Sequence, residues 1–293
     1  MSRIRQCFHS RYKNGILVEA DYSQLEIVVL AYLAQDITLA DDLNSGRDLH
    51  TMRASELYKI SEADVTSEQR RVAKTLSFQL QYGAGAKTMS EINKISRTLA
   101  QEFIDNFYNR YLGVEAWQKA NEDYVKRRGG CAADWWYEYK SEALSKLDRT
   151  PLGVPRHPSP LRSPSTRTLV FREYDSKYGH KHKKKRTIQY SPTEIKNYPV
   201  QSLATDIIKI ALGALAYKLW FNDKIKIINT VHDNIIIDCS LKEREEVCNM
   251  LQWAMVDRTT GILKNRYDIE LPVPLKIEIK SGTLWSEMHT IDI

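Results

Sequence analysis

The chain has 293 residues, 42% of them hydrophobic and 27% charged, a balance that supports one large folded domain or two small ones and excludes disorder as the dominant state. No run approaches the ~18 apolar residues of a membrane helix, and the opening MSRIRQCFHSRYK lacks the apolar core of a signal peptide, so the sequence reads as cytoplasmic. The net charge is +6, but 156 to 186 hold ten Lys or Arg and two acids, a local +8 that leaves the remainder at −2.

In chain order, Gly15-Ile-Leu-Val-Glu-Ala20 reads as a short strand that delivers Asp21 at its far end. A helix over 23 to 34 follows, with Leu25, Val28, Val29 and Leu33 as a stripe facing the core. Segments 48 to 58, 67 to 82, 87 to 94, 98 to 111 and 114 to 128 also read as helical, which makes this stretch a strand-poor subdomain. Five prolines between Pro151 and Pro164, followed by HKHKKKR, mark a long exposed insertion, read either as a solubilising loop or as an arm that contacts nucleic acid. A helix over about 201 to 219 comes next, with Ile207, Ile208, Ala211 and Leu215 on its buried face. The runs 224 to 231 and 235 to 239 form a hairpin with His232-Asp233-Asn234 at its turn. A helix over 241 to 259 and a strand over 273 to 280 complete an α+β unit separate from the helical one. Cys7, Cys131, Cys239 and Cys248 include no CxxC pair and suggest neither a disulfide framework nor a structural zinc.

Two features carry chemistry. Asp21 at a strand end and Asp233 at a hairpin tip meet if their strands are neighbours in one sheet. Paired carboxylates of that kind suit two Mg²⁺ ions about 3.5–4 Å apart, and phosphoryl transfer is the natural reaction. For either residue alone the commoner role is structural, Asp21 as a cap for the helix near Ser23 and Asp233 as a turn residue. In the second feature, Arg70, Lys74, Phe78 and Tyr82 recur every four residues. Each step advances about 40°, so all four share one face, while Val72, Ala73, Leu76 and Leu80 lie opposite and anchor the helix. Two cations followed by two aromatics match a nucleoside triphosphate, phosphates at one end and base or sugar at the other. A surface helix using long stems as cover is the alternative.

These residues also carry a resemblance. Asp21-Tyr-Ser-Gln-Leu-Glu-Ile27, Arg70-Arg-Val-Ala-Lys74 with Phe78 and Tyr82-Gly83, and Val231-His-Asp233 resemble, in order, the three polymerase motifs of the family A DNA polymerases, the DNA polymerase I-like group. The likeness extends to Asp48-Leu-His50-Thr, to Asn197-Tyr-Pro-Val-Gln201 before a palm helix and to the Trp285 segment, and covers most of the chain except about 131 to 190. The segment from Ser191 to Gln201 is similar to bacteriophage members. The resemblance implies an α+β fold: a palm of antiparallel sheet and helices at 1–35 and 191–293, mainly helical fingers at 36–130, and the basic Pro-rich insertion at 131–190.

It implies DNA-directed DNA synthesis on a primer-template with dNTP substrates and two Mg²⁺ ions. Asp21, Asp233 and the main-chain carbonyl of Tyr22 would be the metal ligands. Arg70, Lys74 and His50 would grip the triphosphate, with Lys74 also a proton donor to pyrophosphate. Phe78 would stack on the nucleotide, Tyr82 would close the template side, and Glu26, beside Gln24 in the nucleotide site, would exclude a 2′-hydroxyl. Gln201, Asn197 and His232 would reach the DNA.

The sequence also departs from the family's pattern. Asn234 stands where a glutamate is usual, Val28 where arginine is common and Ser202 where glycine is usual. The chain begins about 20 residues before Asp21, so the thumb and exonuclease domain are expected to be absent. Three explanations fit, a cloned fragment, a split gene whose partner polypeptide supplies thumb and exonuclease, or a small enzyme that uses the basic insertion as a substitute grip, and a split or truncated gene product is favoured. The alternative is a weak or inactive polymerase-like module that binds DNA or nucleotide and acts through a partner.

Overall fold

The computed structural model describes residues 3–128, 169, 173–175 and 188–291. Most of the expected insertion at 131 to 190, with Trp135, Trp136 and its basic tail, lies outside the described residues. In chain order the strands are β1 (Gly15–Tyr22), β2 (Glu173–Asp175), β3 (Ile188–Tyr190), β4 (Lys226–Val231), β5 (Asn234–Ser240), β6 (Ile277–Gly282) and β7 (His289–Thr290). The α-helices are α1 (Leu25–Ala34), α2 (Ile37–Asn44), α3 (Leu49–Tyr58), α4 (Ser67–Gln81), α5 (Ala86–Asn93), α6 (Arg97–Arg110), α7 (Leu112–Arg128), α8 (Pro192–Lys218), α9 (Arg244–Gln252) and α10 (Thr259–Tyr267). The protein is α+β and divides into two compact units, Met1–Ile27 with Leu203–Ile293, and Val28–Ser202.

The first unit is built on an antiparallel sheet of order β4-β5-β1-β6-β7. Its central strand β1 holds Leu17, Val18 and Ala20 fully buried, because both of its faces are covered. The strand begins at a glycine for a steric reason: a Cβ on Gly15 would lie 1.7 Å from Ser10 Oγ. On one side Leu17, Ile236 and Trp285 form a cluster with Phe8, Val231 and Met288 packed around it. Helix α9 packs against β1 and β5 and buries Val247 and Leu251.

The second unit is helical. Asp36 ties two of its helices together: its Oδ1 accepts from Leu39 N at 2.9 Å to cap α2, and its Oδ2 accepts from Val114 N at 3.1 Å at the start of α7. Asp42 accepts two hydrogen bonds from Arg110, at 2.7 and 2.6 Å, and a third from the Tyr111 hydroxyl at 2.7 Å. Helix α3 packs on α4 and α6, and α5 on α6. The short pair β2-β3 brings Tyr190 into a cluster with Tyr124, Val125 and Ile195.

Several elements differ from the expectations. Helix α1 is buried around almost its whole circumference rather than along a stripe, as an all-apolar helix must be. Helix α2, which Asp36 caps, is an element beyond those expected. The helix expected from 201 begins at Pro192, and Pro199 lies within it. Ser191-Pro-Thr-Glu194 is a helix-start signature that points to this earlier boundary, with Ser191 Oγ accepting from Glu194 N at 3.4 Å and proline in the first turn. The missing N–H of Pro199 is tolerated because Ile195, Val200 and Leu203 are buried on the same helix. The helix expected over 241 to 259 is interrupted by a π-helical stretch at Trp253–Arg258 and continues as α10. The last main strand starts at Ile277 rather than at 273, since Pro272 and Pro274 cannot donate to a ladder. Among the described residues α8 is the one helix long and apolar enough to cross a bilayer, a length the sequence reading did not anticipate, and half of its apolar stretch is buried inside the molecule as a core helix.

Candidate active site

In the sheet unit, the register of β1 and β5 brings the two aspartates together. Asp21 pairs with Asn234, the residue after Asp233, and Tyr22 N donates to the Asp233 carbonyl at 3.3 Å. The turn between β4 and β5 has two residues, His232 and Asp233, and His232 adopts φ +57°, the left-handed region that tight hairpin turns demand. Asn234, expected in the turn, is instead the first residue of β5. Asp21 lies within β1, ahead of α1, and so is not a helix cap.

The carboxyl of Asp21 is pushed up to about 7, first by burial, then by the charge and hydrogen bond of Asp233 and the charge of Glu19, against the opposing charge of Lys280. Its Oδ1 is buried with no hydrogen-bond partner among the described residues. Two carboxylates that repel each other, one with an oxygen that has no hydrogen-bond partner among the described residues, offer the hard oxygen donors that Mg²⁺ takes. No group of three or more His, Cys, Asp or Glu is placed to hold a metal among the described residues. The adjoining Tyr22 is fixed from behind. Its hydroxyl donates to the Met255 carbonyl at 2.6 Å, inside the π-helical stretch, where the ordinary helical ladder is interrupted.

Around this pair, Glu26 is half-buried in the first turn of α1 and Gln24 is exposed at φ +55° just before it. His232 is exposed on its turn. Glu19, outside the set of expected site residues, is buried. It accepts from Asn234 Nδ2 at 2.6 Å and from Trp285 Nε1 at 3.3 Å. An acid inside an apolar strand, two residues before Asp21, is the signal that marks it.

In the helical unit, α4 carries the expected ridge. Thr66 and Gln69 cap its start reciprocally, and Ala73, Leu76 and Leu80 are buried while Val72 is half-buried. Arg70, Lys74, Phe78 and Tyr82 are all exposed. Lys74 Nζ lies 5.9 Å from the Phe78 ring centre, and the His50 ring lies 6.2 Å from it on the other helix, α3. Arg70 is ion-paired with Asp48. The same carboxylate caps α3 by accepting from His50 N at 3.1 Å and also accepts from Thr51 Oγ1 at 2.6 Å. Against the effect of its partial burial, Arg70, Thr51 and the His50 amide hold the Asp48 carboxyl at about 2. Burial, followed by the charge of Arg53, pushes the buried His50 imidazole down to about 4, so it is neutral at pH 7. Its Nδ1 has no hydrogen-bond partner among the described residues.

The helix ends at Gly83, φ +76°, whose N–H returns to the Leu80 carbonyl at 2.8 Å. On α8, Gln201 is exposed and Asn197 is buried, with its Oδ1 unpartnered among the described residues.

The family comparison follows the same residues. The family model for DNA polymerase family A matches 1–143 and 159–287, and the chain belongs to that family. The DNA polymerase I of Geobacillus stearothermophilus is 28% identical over 284 residues, 97% of this chain and 27% of the relative. That of Lactococcus lactis subsp. lactis is 29% identical over 287 residues, 97% of this chain and 27% of the relative. Among solved structures, the POL domain of Pol1 from M. smegmatis in complex with DNA primer-template and dNTP superposes with a TM-score of 0.66 at 25% identity, covering 97% of this chain and 42% of that one. The chain spans about a quarter of the length of the curated relatives it matches.

Proposed function

We propose that the chain performs template-directed DNA synthesis, adding deoxynucleotides to a primer 3′-hydroxyl and releasing pyrophosphate. In this reading 1–35 and 191–293 are the palm, 36–130 the fingers and 131–190 a basic insertion. The observation that supports it most directly is the Asp21–Asp233 pair on neighbouring strand ends, with the Asp21 carboxyl pushed up to about 7. Asp21, Asp233 and the Tyr22 carbonyl would hold two Mg²⁺ ions, which when bound would supply Lewis-acid activation of the primer hydroxyl and charge stabilisation at the leaving group.

The protein's own groups do the rest. Lys74 and Arg70 bind the triphosphate oxygens through charge-assisted hydrogen bonds, and Lys74 gives a proton to pyrophosphate as it leaves. Arg70 is pre-oriented by its ion pair with Asp48. Phe78 stacks on the base or sugar, and Tyr82 borders the templating position. His50, neutral at pH 7, offers a hydrogen bond without adding charge. Glu26 and Gln24 lie in the sugar region, where Glu26 excludes a 2′-hydroxyl, and His232, Gln201 and Asn197 serve the primer-template.

The test is Mg²⁺-dependent extension of a labelled primer on a DNA template by the purified chain, with Asp233→Asn as control. Extension that the control lacks is expected. No extension by folded wild-type protein would overturn self-sufficient synthesis.

A further inference from the structure

We propose that Glu19 is a positioning residue of the aspartate pair: through the Asn234 amide it fixes the turn that carries Asp233, and its carboxylate supplies a third negative charge behind the two metal-facing ones. This rests on the metal-site reading above.

The register carries the geometry. Residues 19 and 21 of β1 are two apart and lie on one face of the sheet, opposite Ile236 and Asn234 of β5. Glu19 reaches diagonally across to Asn234, whose Nδ2 donates to its Oε1 at 2.6 Å. Asn234 is held at its other end, where its Oδ1 accepts from Val231 N at 2.9 Å and its own carbonyl accepts from Thr230 Oγ1 at 2.8 Å. The amide therefore closes the base of the His232-Asp233 turn and hands it to Glu19. The second oxygen of Glu19 takes the Trp285 indole N–H at 3.3 Å.

Glu19 is 7% exposed, takes its hydrogen bonds from neutral donors, and stands opposite Lys280 in the β1–β6 register, whose ammonium is ion-paired with Glu278. With the Lys280 ammonium engaged by Glu278, the Glu19 carboxylate is placed to act on a cation at the neighbouring Asp21–Asp233 pair, where a divalent ion is expected. Because its two oxygens face the Asn234 amide and the Trp285 indole, Glu19 acts on the ion through the field and through Asn234.

The test separates charge from packing. Glu19→Gln removes the charge and the Trp285 bond; Trp285→Phe removes the bond alone; Glu19→Gln with Asn234→Asp returns the charge on the partner strand. For each, the readout is the Mg²⁺ concentration that half-saturates thermal stabilisation of the DNA-free protein, with the same midpoint for primer extension as a second readout. The expected result is a midpoint raised about tenfold in Glu19→Gln, unchanged within about twofold in Trp285→Phe, and restored in the double variant.

Equal shifts in Glu19→Gln and Trp285→Phe, or a double variant no better than Glu19→Gln, would overturn the inference. If Glu19→Gln alone does not fold, a wild-type midpoint in the folded double variant supports the inference and a tenfold higher one overturns it. A wild-type protein with no Mg²⁺ stabilisation would remove the metal-site reading itself, which is distinguishable from a wild-type response that Glu19→Gln leaves untouched.

Discussion

Replacing Asp21 by Asn should destroy DNA synthesis and at the same time make the metal-free protein more stable. The folded-state pKa of Asp21 is raised from 3.8 to about 7, so the folded state prefers the protonated acid. The sign follows from linkage: between pH 4 and 7 the folded state binds more protons than the unfolded one, stability falls as pH rises through that window, and the penalty is complete above pH 7. At about 1.4 kcal/mol per pKa unit, the full penalty would be about 4 kcal/mol. The carboxyl is only half-buried, and solvent screening brings this to about 2 kcal/mol. Asparagine has no charge to repel Asp233, so Asp21→Asn should gain about 2 kcal/mol at pH 8, or ~4–8 °C in Tm, and almost nothing at pH 4. Added Mg²⁺ should stabilise the wild type at pH 8 and leave the variant nearly unmoved. Differential scanning calorimetry at pH 4, 6 and 8, with and without Mg²⁺, checks both statements. A Tm difference independent of pH, or a variant less stable than wild type at pH 8, would refute the repulsion argument.

Other outcomes test the remaining parts. Lys74→Ala should lower kcat/KM for the incoming nucleotide by about 10- to 150-fold, the worth of one charge-assisted hydrogen bond, with thermal stability unchanged because Lys74 is exposed. Steady-state single-nucleotide insertion reads this directly. Glu26→Ala should raise ribonucleotide incorporation relative to deoxynucleotide in the same assay, and an unchanged ratio would remove the sugar-gate role. Gly83→Ala should destabilise by at least ~1–2 kcal/mol in urea unfolding, because φ is +76° and the added Cβ would lie 2.9 Å from Thr193 Cα.

The sequence by itself determined the periodic and the contiguous. The α4 ridge was legible because four residues at four-residue spacing must share a helix face, and the exposed Arg70, Lys74, Phe78 and Tyr82 follow from that geometry alone. The hairpin and its tip were legible because two β-branched runs flank a polar turn, and the motif order made the family readable. Only the tertiary structure decided the rest. That Asp21 meets Asp233 depends on β5 pairing with β1 in one particular register, and a one-residue slip would turn every side chain to the other face. Asp48 acquires its role from α3 lying against α4, which brings its carboxylate to Arg70. Glu19 reads as an anomaly in an apolar strand until Asn234 and Trp285, distant in sequence, arrive to accept its burial. Hydrogen-bond satisfaction of a buried charge is a property of neighbours, and a linear chain does not state which neighbours folding will supply.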